Sequence, residues 1–545
     1  MRTRTERRPR GPGAVYASLS VAFMVLIGFV AFEANQPAPP TIAEFSPQAI
    51  TQITDAPEEQ SSAFGSGDDG TALAGATPPP TPTSEAPAID VTRVRRCIGE
   101  PPRQIEDPQS PPCVPFWEGD NGGATGRGIT GDEIRVVVPV PPLFFRPEVI
   151  PMYENFFNAR FEFYGRKLRL IPGPDQANEV ENQQAASEEV DSMHDPFAST
   201  SWAYAGGLVY HAEIARRGIV SSMSPEAILD EAGLAAASPH LWSYVMSEDR
   251  IFANLGEWAC GRLAGRNAEY GGPEVQERER EFGVMVLNQN RDADPSLEPL
   301  FTELERCGAQ PAYTSMQPAF EAIDTELLRM QQEGVTSIIC ICNYFSTKGW
   351  GTGPWPRATD QGYFPEWVLS TWGGWDSDNN FKLHGSHPEQ SQHAFGVVFT
   401  PRQVTLDQEP FWWALREGNT AASAPPGESY LWWERELYRS LLVLTSGIQM
   451  AGPELTPDTF SEALHRTVFP NPDHPNVAGD VGFRPRNHSM TADGAEFWWS
   501  NTARSPQGGT TAGSICYLNG GARHTKGSWP KGDAPFFEEP CDSGV

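Results

Sequence analysis

The plainest chemistry in this 545-residue sequence belongs to its eight cysteines: Cys97, Cys113, Cys260, Cys307, Cys340, Cys342, Cys516 and Cys541. An even number in an oxidising compartment reads as disulfides, and about 105 pairings are open to eight cysteines. Proximity in sequence pairs Cys97 with Cys113, Cys260 with Cys307 and Cys516 with Cys541. Cys340 and Cys342 stand two apart in a strand-like run. They would face the same way with Cα atoms near the limit a disulfide tolerates, so two buried thiols are the expectation there. A lone C-x-C has no second pair or neighbouring histidines to complete a zinc site.

Other constellations are weaker. Asp376, Asp378 and Asn380 open like a calcium loop, but Phe381 stands where such a loop needs glycine. The glycines of GATGRG (Gly123–Gly128) precede the first apolar strand, whereas a dinucleotide turn follows one. Tryptophan pairs at 412–413, 432–433 and 498–499 could stack on a sugar. Trp433 falls in a helical stripe with Leu437, Leu441, Leu444 and Ile448, which favours burial. No Walker A sequence, H-E-x-x-H or G-x-S-x-G is present. The expectation is a non-enzyme without cofactor or metal.

The formal net charge is −30, and the first ten residues, with five arginines against Glu6, carry +4 of it. The acidic remainder repels phosphate backbones, so no nucleic-acid partner is expected. After Arg10 no charge occurs until Glu33, and the uncharged stretch would span roughly 33 Å as a helix. Residues 1–13 read as a cytoplasmic basic segment and 14–32 as a signal-anchor helix. Basic residues before it leave the rest of the chain outside the cytoplasm on a single-pass anchor. A cleaved signal peptide is the alternative. Residues 33–92 contain no Lys or Arg and are dominated by Pro, Ala, Ser, Thr and Gly, the composition of a disordered linker.

Beyond the linker, strand and helix patterns alternate. Ile134–Val140, Lys167–Ile171, Phe282–Asn288 and Val335–Cys342 are short apolar runs suited to buried parallel strands. Met152–Phe163, Glu179–Val190, Gly207–Gly218 and Ser296–Gly308 carry helical spacing, the last with Ser296 as its expected N-cap. Two successive sets of such units imply an α/β protein of two Rossmann-like lobes with parallel sheets, whose ligands sit beyond the carboxyl ends of the strands.

The order of segments resembles the type I periplasmic binding proteins, in particular leucine-binding-type substrate-binding subunits of ABC transporters. The matching stretches are GITGDEIRVVVPV, NARFEFYGRKLRLI, HLWSYVMSEDR (His240–Arg250), LYRSLLVLTSGIQMAGPELTPDTFSEAL (Leu437–Leu464) and GDVGFRPRNHSMTADGAEFWW. The resemblance implies a three-crossing hinge and discontinuous lobes within 131–505. Lobe one would hold about 131–250 and 390–470, lobe two about 251–389 and 471–505. Residues 93–130 and 506–545 would be cysteine-containing extensions. A small polar or amphipathic molecule would be trapped between the lobes and passed to an ABC permease. By strand ends, the contacts would be Phe144, Ser199, Ser201, Trp202, Ser222 and Ser224 on one lobe. Asn343, Tyr344, Trp372 and Asp376 would supply the other. Amino-acid-binding members place an acid directly after the strand equivalent to WVLST; here Trp372, Gly373 and Gly374 follow it, which argues against a branched-chain amino acid. A tethered sensor acting through a partner and an extracellular hydrolase using paired carboxylates remain alternatives.

Overall fold

The computed structural model describes residues 97–98, 102–105, 107, 109–140, 146, 148–175, 180–200, 207–223, 229–287, 295–349, 352–383, 385, 387–419, 431–466, 482–508, 511–538 and 541. The expected anchor and linker lie outside them. Among the described residues no helix is long and apolar enough to cross a membrane.

A two-residue hairpin, β1 (Cys97–Ile98) and β2 (Arg103–Gln104), opens the described chain. The first large sheet is built from β3 (Glu133–Pro139), β4 (Lys167–Gly173), β5 (Ala198–Thr200), β6 (Val220–Met223) and β7 (Leu241–Ser243). Its order is β4-β3-β5-β6-β7, all parallel. Helices α1 (Val149–Arg160), α2 (Val180–Glu189), α3 (Leu208–Arg216) and α4 (Glu231–Ala236) connect its strands. Parallel pairing requires such crossovers, and both faces of the sheet are thereby covered.

Helix α5 (Glu248–Arg262) leads into the second sheet, which comprises β8 (Phe282–Leu287), β9 (Tyr313–Met316), β10 (Ser337–Cys342), β11 (Glu366–Ser370) and β12 (Ala394–Val398). These run parallel in the order β9-β8-β10-β11-β12. The intervening helices are α6 (Glu298–Arg306), α7 (Ile323–Gln332), α8 (Tyr344–Lys348), α9 (Pro354–Asp360), α10 (Asp378–Lys382) and α11 (Pro388–Ser391). Ser296 does not cap α6; its N–H donates to Glu248 Oε1 at 3.1 Å, and Leu297 takes the cap position.

The chain then returns to the first lobe as α12 (Pro410–Gly418), α13 (Leu431–Ala451) and α14 (Pro457–Arg466). Helix α12 lies so close to α1 that a Cβ on Gly418 would fall 1.8 Å from Met152 O. Helix α13 is held by Tyr153 Oη donating to Glu434 O at 2.9 Å and by Ser440 Oγ donating to Ser222 O at 3.1 Å. Finally β13 (Asp493–Ser500) adds antiparallel to β12, and β14 (Ser514–Tyr517) and β15 (Arg523–Thr525) pair with β13.

This corrects the sequence-derived lobe limits. Residues 394–398 are β12 of the second sheet, although 390–470 was assigned to lobe one. Ser489 bridges in parallel to Ser243 of β7, so the stretch just before β13 lies with the first sheet, whereas β13 itself joins the second sheet as the assignment of 471–505 to lobe two has it. The tail after 505 is part of the second sheet through β14 and β15.

Three segments cross between lobes. The first, Tyr244–Ser247, and the third, running through Met490 and Thr491, travel side by side. Ser243 N donates to His488 O at 2.9 Å, Met490 N to Ser243 O at 2.8 Å and Thr491 Oγ1 to Tyr244 O at 2.8 Å. The second crossing, Phe399–Glu409, is tied to lobe two by Phe399 N donating to Thr371 Oγ1 at 2.8 Å. Buried ion pairs brace that lobe: Arg262 with Glu496 at 2.7 Å, and Arg280 with Glu366 at 2.8 Å.

Disulfides join Cys97–Cys113, Cys260–Cys307 and Cys516–Cys541. Cys340 and Cys342 are also joined, where two free thiols were expected. The end of β10 is drawn in, leaving their Cα atoms 5.0 Å apart, well inside the range a bridge spans.

Candidate functional site

The carboxyl ends of both sheets converge on the crossings, and the second lobe's share is built by the turn after β11. In Trp372-Gly373-Gly374-Trp375 a Cβ on Gly373 would sit 2.1 Å from Cys342 O. Gly374 has φ +73° and lies against Tyr344, whose Cδ1 would be 3.1 Å from an added Cβ. Trp375 Nε1 donates to Cys342 O at 2.8 Å. Position 373 is packed so closely on the end of β10 that only glycine fits there, while Trp372 takes the position directly after the strand. The carboxylate arrives later, on Asp376, which is 8% exposed.

Asp376 faces first-lobe groups. Its charge acts on Glu436 and Arg439 of α13 and on Tyr244 of the first crossing. Tyr244 donates its hydroxyl to Glu436 Oε2, and Arg439 Nη1 lies 3.2 Å from Glu436 Oε1. Burial, offset in part by Arg439, raises the Glu436 pKa, with Asp376 pushing in the same direction. Tyr244, Glu436 and Arg439 thus form a buried, hydrogen-bonded and ion-paired set in the first lobe, on which the charge of Asp376 from the second lobe acts.

Trp372, expected as a ligand wall, is fully buried; its Nε1 donates to Glu248 Oε2 at 2.9 Å, fixing the turn to the start of α5. Asn343 caps α8, accepting from Ser346 N at 2.7 Å, so its amide oxygen is committed. Tyr344 is half-buried on the first turn of that helix. Ser199 is also committed, its hydroxyl 2.7 Å from Tyr210 Oη inside the core. Ser222 differs: its Oγ is buried without a hydrogen-bond partner among the described residues, as are Thr200 Oγ1 at the end of β5 and Ser370 Oγ at the end of β11. Unpaired buried hydroxyls are costly; Thr200 and Ser222 lie opposite each other on neighbouring strands of the first sheet, and Ser370 ends a strand of the second. Phe144, Ser201, Trp202 and Ser224 lie outside the described residues.

Sequence reasoning missed Glu248, Tyr244, Glu436 and Arg439. For Glu436 and Arg439 the signal was a run of charges, Glu434-Arg435-Glu436 and Arg439, at the start of an otherwise apolar helix. The calcium-like triplet is dispersed: Asp378 accepts from Ile515 N at 2.7 Å, while Asn380 Nδ2 donates to Gly374 O at 2.8 Å. Among the described residues no group of three potential metal ligands forms.

The fold is a two-lobed α/β architecture built on two parallel sheets. No family model and no curated protein matches the sequence. Among solved structures, the chain resembles an ABC transporter substrate-binding protein from Aeropyrum pernix, with TM-score 0.51 and 12% identity, over 72% of this chain and 96% of that one. A leucine-binding protein from Thermotoga maritima matches at TM-score 0.48 and 11% identity, over 72% and 99%. A solute-binding protein from Rhodopseudomonas palustris, in complex with p-hydroxybenzoic acid, matches at 0.49 and 10%, over 71% and 97%. The chain thus has the type I periplasmic binding protein fold.

Proposed function

We propose that the protein captures a small polar or amphipathic molecule between its lobes on the extracytoplasmic side and hands it to an ABC permease, without chemistry on it. The observation that supports this most directly is that strand ends of both sheets carry buried hydroxyls without hydrogen-bond partners among the described residues (Thr200, Ser222, Ser370), while the charge of Asp376 from one lobe acts on the buried Glu436–Arg439 pair of the other. The strand ends of such sheets are where ligands bind. The expected membrane anchor at 14–32 belongs to the same proposal, since it would keep the captor beside its permease.

The test is mass spectrometry of small molecules released on denaturing the purified protein, followed by titration of any released compound back onto ligand-free protein. A single saturable site, weakened at least about tenfold by Ser222→Ala combined with Ser370→Ala, is expected. Equal affinity in that double variant would remove the site assignment. Turnover of the compound would remove the non-enzymatic reading.

A further inference from the structure

The second sheet ends at β9, whose outer edge pairs with no strand among the described residues. Ala312 N donates inward to Phe282 O at 2.8 Å, so the period-two alternation turns the N–H and C=O of Tyr313 and Ser315 outward. An open strand edge is a template for another extended segment.

Beside that edge, between β9 and α6, runs an open groove of about 520 Å3. Leu297 and Phe301 line it from the helix side, Thr314 and Met316 from the strand. Met316 is 47% exposed, which leaves apolar surface uncovered. Glu298 and Glu305 also line the groove; both are exposed, and neither forms an ion pair among the described residues. The bases around it are engaged. Arg306 and Lys526 both hold Glu303, at 2.6 and 2.7 Å, and Arg329 holds Glu326 at 3.2 Å. Edge and groove together suit an extended segment that alternates apolar and basic residues.

The chain carries such a segment outside the described residues. Residues 33–92 have no Lys or Arg; Val91-Thr92-Arg93-Val94-Arg95-Arg96 then sets three arginines among β-branched residues. Cys97, which follows, is bonded to Cys113, and its hairpin is fixed to the first lobe by Gln449 Nε2 donating to Gln104 Oε1 at 2.8 Å. Gln449 lies roughly 15 Å along α13 from Arg439 at the cleft. β9 stands roughly 19 Å across the sheet from β12, where the second crossing leaves it. Six extended residues reach only about 20 Å, short of the two distances combined, so a neighbouring copy supplies the segment. Each copy carries −30 overall, so two copies meet best where the charge is locally reversed, as these arginines make it.

We propose that residues 91–96 of one copy add as a strand to the outer edge of β9 in a second copy. The arginines lie against Glu298 and Glu305, and Val94 covers Phe301 and Met316. Each copy has one segment and one groove, so reciprocal exchange closes a dimer. The proposal does not depend on which molecule the cleft captures.

The experiment is sedimentation velocity of the full-length protein in detergent over a range of concentrations. The competitor is a blocked peptide of the sequence Ile89–Arg96. A dimer that grows with concentration is expected, dispersed by this peptide but not by one whose arginines are replaced by glutamine. Arg93→Glu with Arg95→Glu, or Glu298→Arg with Glu305→Arg, should each weaken association at least about tenfold, because like charges then face each other. Combining both pairs of reversals should restore it. Glu298 and Glu305 are exposed, so their replacement leaves the fold intact. A protein that stays monomeric at every concentration, a dimer indifferent to either pair of reversals, or a combined variant that does not recover overturns the proposal.

Discussion

Glu434 is a carboxylate that folding works against. Its side chain is 2% exposed, one oxygen has no partner among the described residues, and burial pushes its pKa up to about 7 from 4.5. The folded state therefore holds a proton there that the unfolded state has released between those two values, so stability falls as pH rises through that window. The fall amounts to roughly 2–3 kcal/mol, and Glu434→Gln should remove it. The variant is expected to be more stable than wild type at pH about 8 and equal to it near about pH 4. Urea denaturation midpoints across pH test this, and parallel profiles for the two proteins would refute it. At this scale the sequence was only half legible. It named Ser199 and Ser222 alike as strand-end hydroxyls, but only the fold shows that Ser199 is satisfied by Tyr210 on α3 and Ser222 is not. It could also not show that Gly373 has no room for a side chain beside Cys342 O at the end of β10, since that approach is a tertiary contact.

Helix α8 and the short helix α10 are joined by one cation. Lys348 is fully buried, and its ammonium donates to Asn380 O at 2.5 Å, Phe381 O at 2.9 Å and Leu383 O, the carbonyls left open at the end of α10. Burial pulls its pKa down to about 7, while those carbonyls favour the protonated form. Lys348→Met keeps the volume and strands three acceptors, so a loss of about 3 kcal/mol is expected, with weaker solute binding because α10 follows Asp376 directly. Calorimetric unfolding checks the first effect and solute titration the second; a variant matching wild type in both would refute the clamp. A lysine in a Tyr-Phe-Ser-Thr-Lys run carries no mark of this role, whereas β3, β8 and β10 were legible as apolar runs because both faces of a parallel sheet are covered. Trp498 and Trp499, one of the pairs that could have stacked on a sugar, are buried in the core, with Trp499 stacked on Phe381 at 4.3 Å. Trp412 and Trp413 are only partly buried, and Arg160 lies over the Trp413 ring at 5.8 Å. Trp433 lies outside the residues whose side chains are described.

For the whole molecule, the mechanical question is where two lobes can turn against each other. Two of the three crossings are hydrogen-bonded to each other through a parallel bridge between Ser243 and Ser489, while the second is tied to the second lobe through Phe399. Alternation of elements in the sequence suffices to show two lobes. It does not show which sheet β12 joins, because a strand's neighbours are set by long-range pairing rather than by its own residues. A paired hinge of this kind bends as a unit, so its hydrogen bonds need not break when the cleft shuts. Addition of the captured solute is expected to reduce the radius of gyration and to stabilise the fold by about 2.7 kcal/mol at a hundredfold excess over its dissociation constant. Hydrogen exchange then locates the motion. The amides of Ser243 and Met490 should be protected with and without solute, whereas those of Gly374 and Asp376 gain protection only with it. Loss of protection at Ser243 and Met490 in the solute-free protein would place the bend inside the bridged pair. Unchanged exchange at the turn after β11, together with unchanged scattering, would mean that capture occurs without closure.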